Sequence, residues 1–201
     1  NNNLTLDTTT STGSADITFN GDINLGTGAL DVTGDVVLGA NVTLTTTKSS
    51  GNGIIIRDAI NADSASSNDR TLTLNSGTGS AIFVLGTVGA SQALAGLTIT
   101  QSNGATFSGS VDVSDSSSGT ITLTDTTDGA NITFSGDVTA DTFTTAAQGY
   151  DIFLNGDATF ANAVTFQNTG TLDLGNATSD TLTFNGGVTE STGGTVTIDG
   201  A

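Results

Sequence analysis

The most regular feature of the chain is a triplet of apolar, polar and apolar residues, followed by a turn rich in Gly, Asn, Asp and Ser. The triplets are Leu4-Thr5-Leu6, Ile17-Thr18-Phe19, Ile23-Asn24-Leu25, Leu30-Asp31-Val32, Val36-Val37-Leu38, Val42-Thr43-Leu44 and Ile54-Ile55-Ile56. They continue as Leu72-Thr73-Leu74, Ile82-Phe83-Val84, Leu97-Thr98-Ile99, Ala105-Thr106-Phe107, Val111-Asp112-Val113, Ile121-Thr122-Leu123 and Ile132-Thr133-Phe134. The last are Ile152-Phe153-Leu154, Ala158-Thr159-Phe160, Val164-Thr165-Phe166, Leu172-Asp173-Leu174, Leu182-Thr183-Phe184 and Val196-Thr197-Ile198. Successive side chains of a strand point to opposite faces, so the outer two residues of each triplet share one side. Strands this short do not stand alone. Many of them at close spacing suit a coil in which each turn stacks on the last, about 4.8 Å away. Helical periodicity is nearly absent: Ala93-Leu94-Ala95 is the only candidate helical turn, and Ala59 to Ser67 reads as a polar loop.

Longer repeats support stacking. Leu4-Thr5-Leu6 followed by Ile17-Thr18-Phe19-Asn20-Gly21-Asp22 returns as Ile121-Thr122-Leu123 with Ile132-Thr133-Phe134-Ser135-Gly136-Asp137. It returns again from Leu172 to Gly187, and more weakly from Leu72 to Val84. The starting positions lie 68, 49 and 51 residues apart. Repeats of about 50 residues fit two three-sided coils each. The longer first interval points to an insertion near residues 61–70. The expected fold is therefore all-β, a single parallel β-helix (β-solenoid) over residues 1–201, with a right-handed winding from the crossover preference of parallel strands. An immunoglobulin-like sandwich is the alternative, but its strands are longer and its corners use Pro, Trp and Tyr. This chain has no Pro or Trp and a single Tyr, Tyr150.

Charge narrows the function. The net charge is -17, with Lys48, Arg57 and Arg70 the only basic residues. Nucleic-acid backbones need clustered Lys and Arg, so they are excluded as partners, and the same deficit argues against docking on anionic lipid. No apolar run approaches the roughly 20 residues of a membrane-spanning helix. The chain starts Asn1-Asn2-Asn3, which reads as a mature product or an excerpt of a longer chain.

The Thr-Phe-Asn/Ser-Gly-Asp-Val phrases, the segment Val36 to Leu44 and Leu97-Thr98-Ile99-Thr100 resemble the degenerate repeats of large bacterial exoproteins of the filamentous haemagglutinin and autotransporter-adhesin type. The resemblance covers nearly the whole chain. It implies a right-handed parallel β-helix, secretion to the cell surface, and a role as stalk, adhesin or biofilm matrix fibre.

Candidate chemistry is sparse. Without His or Cys there is no ordinary triad and no thiolate nucleophile. Asp112 with Asp115, or Asp137 with Asp141, could supply paired carboxylates for polysaccharide cleavage. Turn capping explains them more simply, and the expectation is that the chain is not an enzyme. No cofactor is implied except calcium, for which Asp125, Asp128 and Asn131 surround a Gly turn. Asp22, Asp35, Asp137 and Asp157 each follow a Gly and are expected to align in a column.

Contact surfaces are the remaining candidates. Leu4, Leu6, Val196 and Ile198 belong to the first and last triplets, which carry no helical or charged cap. They are candidates for end-to-end stacking, either on further repeats of the same chain or on another copy in a head-to-tail homopolymer. Val37, Ile55, Phe83 and Phe153 occupy middle positions, so alternation turns them outward as candidate lateral contacts. The expected functions are a structural extracellular fibre or stalk, then an adhesin for a host surface or glycan, then distantly a polysaccharide-cleaving enzyme.

Overall fold

A computed structural model describes residues 2–9, 15–63, 70–114, 118–191 and 194–200. The described residues form 24 strands and no helix. The first circuit comprises β1 (Leu4–Asp7), β2 (Ile17–Phe19) and β3 (Ile23–Asn24), and the second β4 (Leu30–Thr33), β5 (Val36–Leu38) and β6 (Val42–Thr45). The third has β7 (Asn52–Ile56), β8 (Ile60–Ala62) and β9 (Thr71–Asn75), and the fourth only β10 (Ala81–Val84) and β11 (Gly96–Ser102). Next come β12 (Ala105–Phe107), β13 (Val111–Val113) and β14 (Thr120–Thr126), then β15 (Asn131–Phe134), β16 (Val138–Ala140) and β17 (Thr142–Thr145). The chain continues through β18 (Asp151–Leu154), β19 (Ala158–Phe160) and β20 (Val164–Phe166). It closes with β21 (Leu172–Leu174), β22 (Leu182–Phe184), β23 (Val188–Glu190) and β24 (Val196–Ile198).

These strands make three faces. The first face is a nine-stranded sheet in the order β1-β4-β7-β10-β12-β15-β18-β21-β24. The third is an eight-stranded sheet from β3 to β23. The second is divided into β2-β5-β8 and β13-β16-β19-β22. Val88 joins its two parts through single bridges to Ile60 and Val111. Every strand pairing is parallel, which gives a β-solenoid and excludes the antiparallel sandwich.

Each of the apolar triplets lies in a strand, except that β3 stops at Asn24 and leaves out Leu25. The expected polar loop from Ala59 to Ser67 is corrected in part, because Ile60–Ala62 pairs with Val36–Leu38 and Ile60 is buried. The expected insertion begins within this strand. Asp63 and Arg70 then form a bidentate ion pair of 3.0 and 2.7 Å, and residues 64–69 lie outside the described residues. Ala93-Leu94-Ala95 is not helical; Leu94 is buried where the Leu94 N–H bonds the Asp112 carbonyl. The repeats also sit differently from their spacing in sequence. The copies at Leu4 and Leu172 start on the first face, whereas those at Leu72 and Ile121 start on the third. Only the interval from Leu72 to Ile121 is a whole number of circuits.

The core is one run of buried side chains from Phe19 to Leu174. On the first face Leu30, Ile54, Ile82, Ala105, Ile132, Ile152 and Leu172 stack in register. Phenylalanine fills the later circuits from all three sides. Phe107 stacks on Phe134 with centroids 5.0 Å apart, and Phe143 lies edge-on to Phe160 at 5.3 Å. Aromatic pairs of this geometry add to the free energy of burial.

Candidate interaction surfaces

Aspartate and asparagine at the corners have a common structural task. A parallel ladder leaves turn N–H groups without strand partners. Asp35 accepts from the Ala59 N–H, Asp137 from the Asp157 N–H, and Asp157 from the Thr181 N–H. Each bond runs to the following circuit. Asn3, Asn41 and Asn61 do the same for Ala29, Thr71 and Ser91. Asp35, Asp137 and Asp157 share the corner between the first and second faces. Asp22 does not: it follows β2 and accepts from the Thr43 N–H at the next corner. The expected four-residue column is corrected to three aspartates on one corner and one on another.

Glycine at the first of these corners is set by close approach. A Cβ on Gly136 would lie 2.7 Å from the Gly109 carbonyl carbon, and one on Gly109 would lie 2.6 Å from the Gly86 carbonyl oxygen. At Gly136 and Gly156 the Gly-Asp step packs backbone on backbone, whereas Gly34 takes a positive φ of 125° and Gly21 faces open space.

The candidate calcium ligands are individually engaged. An Asp125 oxygen accepts from the Gln101 side-chain amide at 3.1 Å, and an Asp128 oxygen accepts from the Gly149 N–H at 3.1 Å. Asn131 opens β15 on the first face. Among the described residues no three carboxylates gather into a metal-ligating group. The candidate catalytic pairs are separated or incomplete. Asp137 and Asp141 flank opposite ends of β16, and Asp141 accepts from the Gly119 N–H. Asp112 accepts from both the N–H and the hydroxyl of Ser114, while Asp115 lies outside the described residues.

The middle-position apolar residues all face outward. Ile55, Phe83 and Phe153 belong to one column of the first face, and Ile55 is the register partner of Phe83. Leu85, which the triplet pattern did not single out, extends this patch and is 41% exposed. Arg57, in the same register row as Leu85, forms a bidentate pair with Asp31 at 2.9 and 2.8 Å. That bond, with the adjacent carboxylates, holds the guanidinium above its ordinary pKa. Val37 lies apart, in a cleft of about 500 Å³ on the second face, with Asp16, Asp35, Asn61, Asp63, Ser91 and Gln92 around it. Ser91 and Gln92, from the strandless stretch of the fourth circuit, form one wall of the cleft and are tied to the Asn61 side chain by their N–H groups.

At the coil edges, Val196 is 41% and Ile198 62% exposed, while Leu4 and Leu6 are half-buried. Leu4 and Val196 occupy the same column of the first face, as do Leu6 and Ile198. Val188, on the third face, is 49% exposed.

The third face holds a continuous row of outward threonines. Thr43, Thr73, Thr98, Thr122, Thr144, Thr165 and Thr189 are successive register partners. All face outward, and none of their hydroxyls bonds within the described chain. The hydroxyl pair in this region, Ser102 Oγ to Thr126 Oγ1 at 2.9 Å, is buried instead.

Comparison with protein families, with characterised proteins and with solved structures finds no match for this chain.

Proposed function

We propose that this chain is a structural, non-enzymatic segment of an extracellular fibre or stalk, built by stacking one coil on the next. The observation that carries the reading is the continuity of the first-face columns from Leu4 to Val196 and from Leu6 to Ile198. Apolar side chains at the coil edge and open strand edges favour a further coil in the same register. That coil comes from the same polypeptide or from another copy; either gives a rod. The composition and the exoprotein-like repeats support placement at a cell surface.

Electron microscopy of the purified protein at micromolar concentration tests self-stacking. The expected images show rods of variable length. Discrete particles of one coil length would sink assembly from separate copies. An adhesin is the second reading, favoured by the Ile55–Phe83–Leu85 patch and the cleft around Val37. Specific retention on a glycan array by discrete particles would replace the fibre with it.

A further inference from the structure

We propose that the first face around Phe83 is a lateral contact between two copies of this chain. Charge is spread unevenly along the solenoid. Residues 48–111 hold all three basic residues, Lys48, Arg57 and Arg70, against Asp58, Asp63 and Asp69, so this stretch is neutral. Thr71 to Val111 hold no charged residue at all. Residues 1–47 carry five carboxylates and residues 112–201 carry twelve, with no basic residue in either stretch. Winding turns the neutral stretch into a belt, from β7 to β12, between two acidic arms.

The belt is also where the outside of the first face turns apolar. Ile55 and Phe83 are register partners, about 4.8 Å apart, and Leu85 lies about 6.7 Å along the chain from Phe83. Leu85 is the most open of the three, and Ile55 and Phe83 are partly open. On one side the cluster borders the closed ion pair of Arg57 with Asp31. On the other side the column continues as Thr106 and Thr133, and Ser108 takes the place of Leu85. No unpaired charge therefore touches the cluster.

The charge distribution selects a second copy as the occupant. A cationic partner would be steered to the acidic arms, and an anionic one would be repelled by them. Another copy brings a neutral belt of its own, and its arms need only diverge. Facing sheets pack with an angle of about 30° or about 90° between them. Crossed in this way, the arms soon separate by more than the Debye length of about 8 Å, beyond which they are largely screened. Three apolar side chains per copy fall well short of the roughly 800 Å² per partner of a standard interface. A single contact is therefore weak. Several of them between stacked fibres would reinforce one another; that step alone rests on the stacking proposed above, and the pairwise contact does not.

The test is cross-linking of Thr106→Cys by a short bis-maleimide, since the chain has no cysteine of its own and Thr106 lies beside Phe83. End-to-end stacking would hold the Thr106 positions of successive copies at least nine strand spacings apart, about 43 Å, which is out of reach. Thr165→Cys, on the third face, is the control. Phe83→Thr with Leu85→Ser gives this circuit the outward residues of the next one, Thr106 and Ser108, and so suits the same strand. Leu85→Ser alone guards against a pair that does not fold, and circular dichroism reports folding for each. At a protein concentration of about 1 mM, the expected result is a cross-linked dimer from Thr106→Cys and several-fold less from Thr165→Cys. Adding Phe83→Thr and Leu85→Ser is expected to remove most of the dimer. Absence of dimer from Thr106→Cys overturns the proposal, and if rods still form it leaves the stacking intact. Equal yields from the two cysteine variants overturn it, as does a dimer that persists in the folded Phe83→Thr, Leu85→Ser chain. Glycan retention that needs Phe83 and Leu85, without any dimer, overturns it too and gives the patch to an adhesin.

Discussion

Tyr150 shows how one side chain closes a corner. Its hydroxyl accepts from the Ala146 N–H at 3.0 Å and donates to the Leu123 carbonyl at 3.1 Å, and the residue is fully buried. Burial pushes its pKa up to about 12 from the ordinary 10.0. The folded state therefore holds the phenolic proton more tightly than the unfolded state. The resulting stability is intact below pH 10 and is lost as pH rises towards about 12. Tyr150→Phe is expected to cost about 0.5–1.5 kcal/mol, because the hydroxyl's bonds are lost while the Ala146 N–H keeps its own bond to the Leu123 carbonyl. Denaturant melts at neutral pH measure that cost. Phenolate absorbance during an alkaline titration checks the pH window. Gly136→Ala is expected to destabilise by about 1–3 kcal/mol through overpacking against the neighbouring turn. A melting temperature unchanged by this substitution would remove the close-approach account of the Gly-Asp corners.

At the scale of elements, the strands are legible in sequence where both inward residues are large and apolar. Leu72-Thr73-Leu74 and Val111-Asp112-Val113 are such cases. Strands β8, β16, β17 and β23 escaped the pattern for a physical reason. Their inward positions include Ala62, Ala140, Thr145 and Glu190, which carry a weak apolar signal or none. Neighbouring circuits make them strands, with Val111–Val113 and Ala158–Phe160 pairing on either side of β16. The aromatic circuits carry a large share of the burial. Phe143 packs on Phe134, Phe160 and Phe166, so Phe143→Ala is expected to cost about 3–5 kcal/mol in a denaturant melt. Asp173 has the opposite sign. Burial and nearby Asp199 raise its pKa, and one carboxylate oxygen is buried without a hydrogen bond. Its charged form opposes folding. Asp173→Asn is expected to raise the melting temperature at neutral pH. The gain should vanish as the pH falls through the raised pKa of Asp173, where the native carboxyl is already protonated.

For the whole molecule, charge and stacking act against each other. A net charge of -17 makes separate copies repel. Salt shortens the Debye length to about 8 Å at physiological ionic strength, so end-to-end assembly is expected to increase with salt, as read by sedimentation or light scattering. Assembly that weakens with added salt would count against contacts through the apolar coil edges. The sequence by itself determined the solenoid class and most of its strands, because strand alternation and turn chemistry are local. It also put Ile55, Phe83 and Phe153 on the outside. Tertiary structure decided which circuits align. Each corner consumes a different number of residues, so similar phrases at Leu4 and Ile121 come to lie on different faces. It likewise took Asp22 out of the aspartate column and left Val37 in a cleft. The same accumulation of turn lengths gathered threonines from separate triplets into one continuous row, a property of the wound chain that no single triplet contains.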